Sequence, residues 1–370
     1  MIPLAYRTVL IEENALMQER LSGIIRNTPG FEVSARYTSA GEAMGQMQAF
    51  NPNLILLDID QEANVNLLKG LKRNVPESMI ICISKNWNAD EQARLLRDGA
   101  AGYMIKPFTG EELQAAVKNA NRAYGSAPAK VISFFSAKGK SGKTTLIANL
   151  AAALARQTRK SVAIIDADLQ FGDMAVFFNL TPQSTIVEAV RDIKFLSPVT
   201  LKTYFAEVGE NLQVLCGTSK PDMAESVTVE GLEGLINMAR NLFSYILVDI
   251  PSGFSDISAT ACELSNQTYL TAMVNGGYET THTKRALEIF KAWDDYEKRV
   301  FPLFTRVEPC NEESRETLSK AIDYPVAAII PNEYILVSEA ANNGRLIIEE
   351  HPDSPFSLAV NELAMDIAGK

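Results

Sequence analysis

Residues 136–145 read Ser-Ala-Lys-Gly-Lys-Ser-Gly-Lys-Thr-Thr, three lysines interleaved with two glycines and bordered by hydroxyls. Such a segment is suited to holding a polyphosphate. Gly139 and Gly142 allow a tight turn that aims main-chain N–H groups inward, and a helix starting at the loop's end adds its N-terminal field. In the pattern G-x-x-x-x-G-K-[ST], Lys143 would meet the β and γ phosphates of ATP and the Thr144 hydroxyl would coordinate Mg²⁺. Glycine is replaced by Ala137 at the first position, so the loop is a variant. The expected cofactor contacts are Ala137, Lys138, Gly139, Lys140, Ser141, Gly142, Lys143, Thr144 and Thr145.

Two acidic strand ends complete that chemistry. Ile164-Ile-Asp-Ala-Asp168 places carboxylates on alternate residues, which share one side of an extended chain. Tyr245-Ile-Leu-Val-Asp249-Ile-Pro-Ser-Gly253 is a second apolar strand ending in an acid. The carboxyl edge of a parallel sheet is where ligands sit. Asp249 and Asp166, with Thr144, are therefore the expected metal residues, and Gly253 can bring an amide near the γ-phosphate. Arg306 and Asn311 follow a later strand.

The elements that must position these groups are legible as an alternation of strands and helices. In the front part, Thr8–Ile11, Leu54–Leu57, Met79–Ile83 and Ala101–Ile105 read as strands, and Leu16–Ile25, Ala89–Asp98 and Glu111–Tyr124 as helices; the alternation as a whole is expected to make five βα units, one strand of which is not located. Gly125-Ser-Ala-Pro128 breaks the rhythm. Expected boundaries are a first domain at 1–125, a linker at 126–130 and a second domain at 131–370. Strands of the second domain are expected at Val131–Phe135, Val162–Ile165, Leu212–Leu215, Tyr245–Val248, Tyr269–Val274, Val300–Phe304 and Val326–Ile330, with helices at Leu146–Arg156, Glu230–Leu242, Thr280–Trp293 and Leu358–Ile367.

Composition narrows the classes. The net charge of -10 disfavours broad adhesion to polyanions, and no long Lys/Arg cluster marks a DNA surface. No run approaches the roughly 20 apolar residues of a membrane span, and the start lacks a signal-peptide pattern. Leu358–Ile367 carries Glu362 and Asp366 but no basic face, so membrane association is expected to be peripheral or indirect at most. Cys82, Cys216, Cys262 and Cys310 show no CxxC spacing and are expected to be buried free thiols in the cytoplasm.

Lys138-Gly-Lys-Ser-Gly-Lys-Thr-Thr145 resembles the deviant Walker A loop of the MinD/ParA family of dimerising ATPases. The resemblance implies a homodimer in which Lys138 reaches the partner's nucleotide, Lys143 serves its own, and Asp168 orients the attacking water beside its neighbour Asp166. It makes Lys138, Lys143 and Asp168 the catalytic residues, and sets Asp249 and Gly253 in the second switch. Arg306 and Asn311 would lie near the base; Ile330-Pro-Asn-Glu and Ser338–Gly344 resemble the loop and helix beside the base and interface. Lys140 departs from the family's second glycine; a lysine can adopt a right-handed loop conformation there while adding charge beside the phosphates.

The front domain resembles a response-regulator receiver through Glu12 and Glu13 after the first strand, Asp58 after the third, Ser84 after the fourth and Lys106-Pro107 after the fifth. That implies Mg²⁺ held by the acids, Asp58 as phosphoacceptor, and Ser84 and Lys106 as the groups that sense it, with Tyr103 as the conformation-reporting aromatic. Glutamates stand where aspartates are usual, and Asp60-Gln-Glu-Ala replaces the familiar Met-Pro. A receiver fold serving only as a docking module is the alternative.

The fold class expected is α/β: a flavodoxin-like receiver followed by a P-loop NTPase domain of the MinD/ParA type, both three-layer αβα. This order resembles the TadZ/CpaE proteins of Flp/Tad pilus assembly, as do Phe134–Lys138 and Asp166–Asp173. The resemblance implies slow ATP hydrolysis, pilus or secretion machinery as partner with a polar landmark protein as a further candidate, and a place at a cell pole or the cytoplasmic face of the inner membrane. A partition or flagellar-number ATPase and a non-hydrolysing ATP-binding scaffold are the alternatives.

Overall fold

A computed structural model describes residues 6–125, 129–170, 172–196, 198–218, 220–293 and 295–369. Its two compact units are Met1–Pro128 with Asp192–Lys202, and Ala129–Arg191 with Thr203–Lys370. Residues 126–128 of the expected linker, and Phe171 within Asp166–Asp173, lie outside the described residues.

The front sheet comprises β1 (Tyr6–Ile11), β2 (Phe31–Tyr37), β3 (Leu54–Asp58), β4 (Met79–Ser84) and β5 (Gly102–Ile105), in the order β2-β1-β3-β4-β5. Every pairing is parallel. Central β3 and β4 are buried along their whole length, which is why their sequences are uninterrupted apolar runs. Leu10, Leu56 and Ile81 pack with Leu21 and Ile25 of the helix Ala15–Asn27 and with Leu113 and Val117 of the helix Gly110–Gly125. Strand β2 went unnamed in the sequence because it is an edge strand whose polar residues break up the apolar run.

The second sheet contains β6 (Lys130–Phe135), β7 (Val162–Asp166), β8 (Ala206–Gly209), β9 (Leu212–Leu215), β10 (Tyr245–Asp249), β11 (Gln267–Met273), β12 (Val300–Val307) and β13 (Ala328–Pro331). Their order is β13-β12-β11-β6-β10-β7-β9-β8. All pair in parallel except β8, which runs antiparallel to β9 at the edge. After β6 the chain builds one side of the sheet, and at β11 it moves to the other. The loop leaving β6 therefore lies where the winding reverses, the position at which such sheets open a ligand crevice.

Helix Lys143–Thr158 follows that loop, with Leu146, Ile147, Leu150, Ala151 and Leu154 buried. Its alanines permit close packing against Val360, Leu363 and Ala364 of the C-terminal helix Pro355–Ala368. Asn149, on the same helix, accepts the Ile348 amide at 3.1 Å. The phosphate-loop helix is thus braced by the chain's last elements.

Cys82, Cys216 and Cys262 are buried free thiols, but Cys310 is exposed, contrary to expectation. It lies in the connection between β12 and the helix Glu312–Ile322, outside the layers. Among the described residues no helix is long and apolar enough to cross a membrane.

Candidate functional site

Strand β6 delivers Ser136 to the sheet's carboxyl edge, where its carbonyl accepts the Gly253 amide at 2.8 Å and its hydroxyl meets that of Ser252 at 3.0 Å. The phosphate loop and the segment after β10 are joined there. From β12, the Thr305 hydroxyl donates to the Ser141 carbonyl at 2.7 Å. Lys140 and Gly142 both take left-handed conformations, with φ of 65° and 78°. This corrects the right-handed geometry expected for Lys140: the loop keeps the backbone that a glycine would adopt, and the lysine is forced into it. Alternation of backbone hand about Ser141 turns successive amides to one side, as an anion-binding nest requires.

The lysines of this loop differ sharply. Lys143 is 6% exposed, donates to the Ile250 carbonyl and stands 3.7 Å from Asp249 Oδ1. Lys138 and Lys140 are exposed. The Thr144 hydroxyl donates to Asp249 Oδ2 at 2.7 Å.

Asp166 and Asp249 are register partners on the adjacent strands β7 and β10, so their carboxylates end side by side. Burial and the neighbouring Asp249 push the Asp166 carboxyl well above the usual carboxylate range. Burial also raises Asp249, against the pull of Lys143 and the Thr144 hydrogen bond. Asp166 organises the chain beyond it, accepting the Asp168 amide at 3.2 Å and the Met174 amide at 3.3 Å. A Cβ at Gly172 would lie 2.5 and 2.6 Å from its carboxylate oxygens and 2.6 Å from the Asp168 carbonyl. Only glycine fits there. Asp168 itself is half-buried, open to a reactant at the sheet edge.

Would these groups take Mg²⁺? Asp249 Oδ1 is buried and finds no hydrogen-bond partner among the described residues, while Oδ2 shares the Thr144 hydroxyl. A buried, under-coordinated carboxylate beside a hydroxyl is a hard-oxygen set suited to Mg²⁺ completed by phosphate and water. The residues fit, with Thr144 and Asp249 as the meeting pair and Asp166 adjoining them. Bound there, the ion would neutralise phosphate charge.

Arg306, one residue before the end of β12, is exposed, at φ 54°, with its guanidinium 4.9 Å from the centre of the Tyr334 ring. Tyr334 opens the helix Tyr334–Asn342 and was not singled out in the sequence; only the Ile330-Pro-Asn-Glu segment before it was. Asn311 is committed elsewhere: its side chain accepts the Ser314 amide at 2.9 Å and caps the helix Glu312–Ile322.

In the front unit, the Lys106 ammonium lies 2.6 Å from Glu12, 2.6 Å from Asp58 and 3.2 Å from Asp60. Lys106, Glu12 and Asp58 are buried, whereas Glu13 is exposed. Ser84 donates to Asp60 Oδ1 at 2.6 Å, and the Lys85 amide donates to the same oxygen at 3.1 Å. Tyr103 is buried, donates to the Asn86 carbonyl at 2.7 Å and packs edge-on against Trp87. The structure therefore brings Glu12, Asp58, Ser84 and Lys106 together, leaves Glu13 exposed at the surface, and adds Asp60, which the sequence marks only as part of an altered loop.

A mostly parallel sheet with a nest-forming loop at its switch point, a buried lysine, and a hydroxyl–carboxylate pair beside it defines a P-loop nucleotide-binding protein. The chain belongs to the CobQ/CobB/MinD/ParA nucleotide binding domain family, whose model matches residues 132–347. Residues 8–118 match the response regulator receiver domain. An uncharacterized ATP-binding protein of Methanocaldococcus jannaschii is 27% identical over 242 residues, 64% of this chain and 87% of that protein. For the front domain, a probable C4-dicarboxylate response regulator of Halalkalibacterium halodurans is 29% identical over 113 residues, 30% of this chain; the match spans 49% of that regulator's length. Among solved structures, the septum site-determining protein MinD of Pyrococcus horikoshii, complexed with Mg-ADP, superposes with a TM-score of 0.55 at 20% identity, covering 65% of this chain and 96% of that one.

Proposed function

We propose that this chain is an ATP-driven dimerising switch that organises the Flp/Tad pilus assembly machinery. The observation that carries the switch is the opposite burial of two lysines in one phosphate loop. Lys143 is committed inside its own chain, whereas Lys138 stands exposed at the rim and is free to reach a nucleotide held by a second copy. Phe254, Tyr278, Tyr334 and Ile335 follow the ends of β10, β11 and β13 and remain 45%, 77%, 58% and 77% exposed. Topology brings all four to the carboxyl edge of the sheet, so the face around the loop offers apolar area to a partner.

ATP with Mg²⁺, held by Thr144 and Asp249 with Asp166 alongside, would tie the loop from Ala137 to Thr145 and Gly253 into one shape. Arg306 with Tyr334 would border the base. Asp168 would orient water for slow hydrolysis to ADP and phosphate. Ligand that binds only the closed state favours it by RT ln(1 + [L]/Kd), about 2.7 kcal/mol at a hundredfold excess over Kd, enough to move a weak dimer. Support for the pilus role is the order of a receiver before a MinD/ParA-type domain and the resemblance of Phe134–Lys138 and Asp166–Asp173 to the TadZ/CpaE branch. A place at the cell pole, reached through protein contacts, belongs to this reading.

Light scattering with and without ATP and Mg²⁺, comparing the parent with Lys138→Ala, tests the switch. The parent should double in mass with nucleotide and the variant should remain monomeric. A parent whose mass is indifferent to ATP, or a variant that dimerises equally well, refutes it. Loss of surface pili in a strain carrying Lys138→Ala tests the cellular role; normal piliation would remove it.

A further inference from the structure

The donors gathered at the carboxyl edge of the front sheet already hold an anion. A phosphoryl group on Asp58 would need the Lys106 ammonium, the Ser84 hydroxyl and a main-chain amide to receive its oxygens. In this chain all three point at one side chain. Asp60 Oδ1 accepts from the Ser84 hydroxyl at 2.6 Å and from the Lys85 amide at 3.1 Å, and Asp60 Oδ2 lies 3.2 Å from Lys106 Nζ. Asp60 donates its own amide to Asp58 Oδ1 at 3.0 Å, so the turn that presents this carboxylate is pinned to the acceptor residue. Asn64 holds the strand end by donating to the Asp58 carbonyl at 2.8 Å.

We propose that Asp60 is a built-in substitute for the phosphoryl group, which keeps Asp58 from accepting one and sets the domain in a single state. The blocked step is attack of an Asp58 carboxylate oxygen on the phosphorus of a small phosphodonor such as acetyl phosphate. In that step the bond from phosphorus to the acetate oxygen breaks, acetate leaves with the electron pair, and an acyl phosphate remains. The Asp60 carboxylate occupies the donors that would receive the transferred group and repels it by charge. Its effect extends outward along a chain of contacts. The Asn86 amide donates to Ser84 Oγ at 3.4 Å, and the Asn86 carbonyl accepts from Tyr103, which packs on Trp87. Asp60 thereby fixes the loop that keeps Tyr103 inward with no chemical signal required.

The test incubates the full chain with Mg²⁺ and acetyl phosphate and reads phosphoryl addition by intact mass. The parent should label slowly at most. Asp60→Ala should label at least about tenfold more, the scale of losing one charge-assisted hydrogen bond. Asp60→Asn, which keeps the shape but not the charge, should fall between, and Asp58→Asn in the Asp60→Ala background should abolish the adduct. A second readout is Trp87 emission in a Trp293→Phe background: unchanged by the phosphodonor in the parent, and altered by Asp60→Ala alone. Labelling of the parent on Asp58 as fast as the variants would overturn the proposal. So would an Asp60→Ala protein that melts like the parent yet takes up no phosphoryl group.

Discussion

Gly172→Ala places a methyl group against the acid that organises the loop after β7. The added carbon would sit 2.5 Å from one Asp166 oxygen, 2.6 Å from the other and 2.6 Å from the Asp168 carbonyl. Ordinary van der Waals contact begins at 3.4 Å, so both the carboxylate and the carbonyl must retreat, by about 0.8–0.9 Å, and overpacking of this kind costs about 1–3 kcal/mol. Neither is a loose end. The carboxylate accepts two main-chain amides and faces buried Asp249, and the carbonyl belongs to the residue expected to position water. A misplacement near 1 Å in such a group can reduce turnover by about 10²-fold. Gly209→Ala is the control, because a carbon added there meets no heavy atom within 4 Å. Thermal unfolding and phosphate release across protein concentrations are the assays. Gly172→Ala should melt lower than the control and release phosphate far more slowly. Melting and release indistinguishable from Gly209→Ala would refute the tight fit about Asp166.

Lys140→Gly removes a side chain from left-handed backbone, a conformation that costs roughly 1–2 kcal/mol, but also frees the unfolded chain by about 0.5–1 kcal/mol; calorimetric melting should show a net gain of at most about 1.5 kcal/mol, and a clear loss would show that Lys140 makes compensating contacts. Asp166→Asn addresses pH: the raised carboxyl means the folded state binds its proton more tightly than the unfolded chain, so stability falls as pH rises from the ordinary carboxylate range toward the raised value. In a metal-free pH series of melting points the asparagine variant should show a shallower decline, the remainder belonging to the raised Asp249 carboxyl, and an unchanged slope would remove the argument.

What the sequence disclosed depended on how local each feature was. The phosphate loop is one contiguous segment after an apolar strand, so a phosphate-binding role could be expected from order alone. Asp166 and Asp249 announced themselves as acids ending apolar runs, since central strands buried on both faces leave no other place for a charge. Strands β2 and β8 were missed because edge strands mix polar and apolar residues, and β8 is only four residues long. Groups that act through tertiary contact were invisible. Thr305 steadies Ser141 from a position 164 residues away, Gly172 matters through the carboxylate beside it, and Tyr334 matters through Arg306. Asp60 was visible as a departure from pattern, but its partner Ser84 lies on another strand, so what the departure does emerged only from the fold.

Each domain sets a buried lysine among acids at the carboxyl edge of its sheet, and the surroundings of the two differ in what an entering anion would have to displace. Lys106 has three carboxylate oxygens within 3.2 Å, so an incoming anion must displace charged partners and then face the acids left behind. Lys143 has a carbonyl and one carboxylate at 3.7 Å, with the Ser141 hydroxyl buried nearby in the same loop and without a hydrogen-bond partner among the described residues. An anion there displaces a neutral acceptor and gains the loop amides. Exchange is cheap at the second lysine and costly at the first, because charged contacts are worth more than neutral ones and leave larger desolvation penalties when broken. The same residue type is thus suited to a ligand site where its partners are weak and to a lock where they are strong.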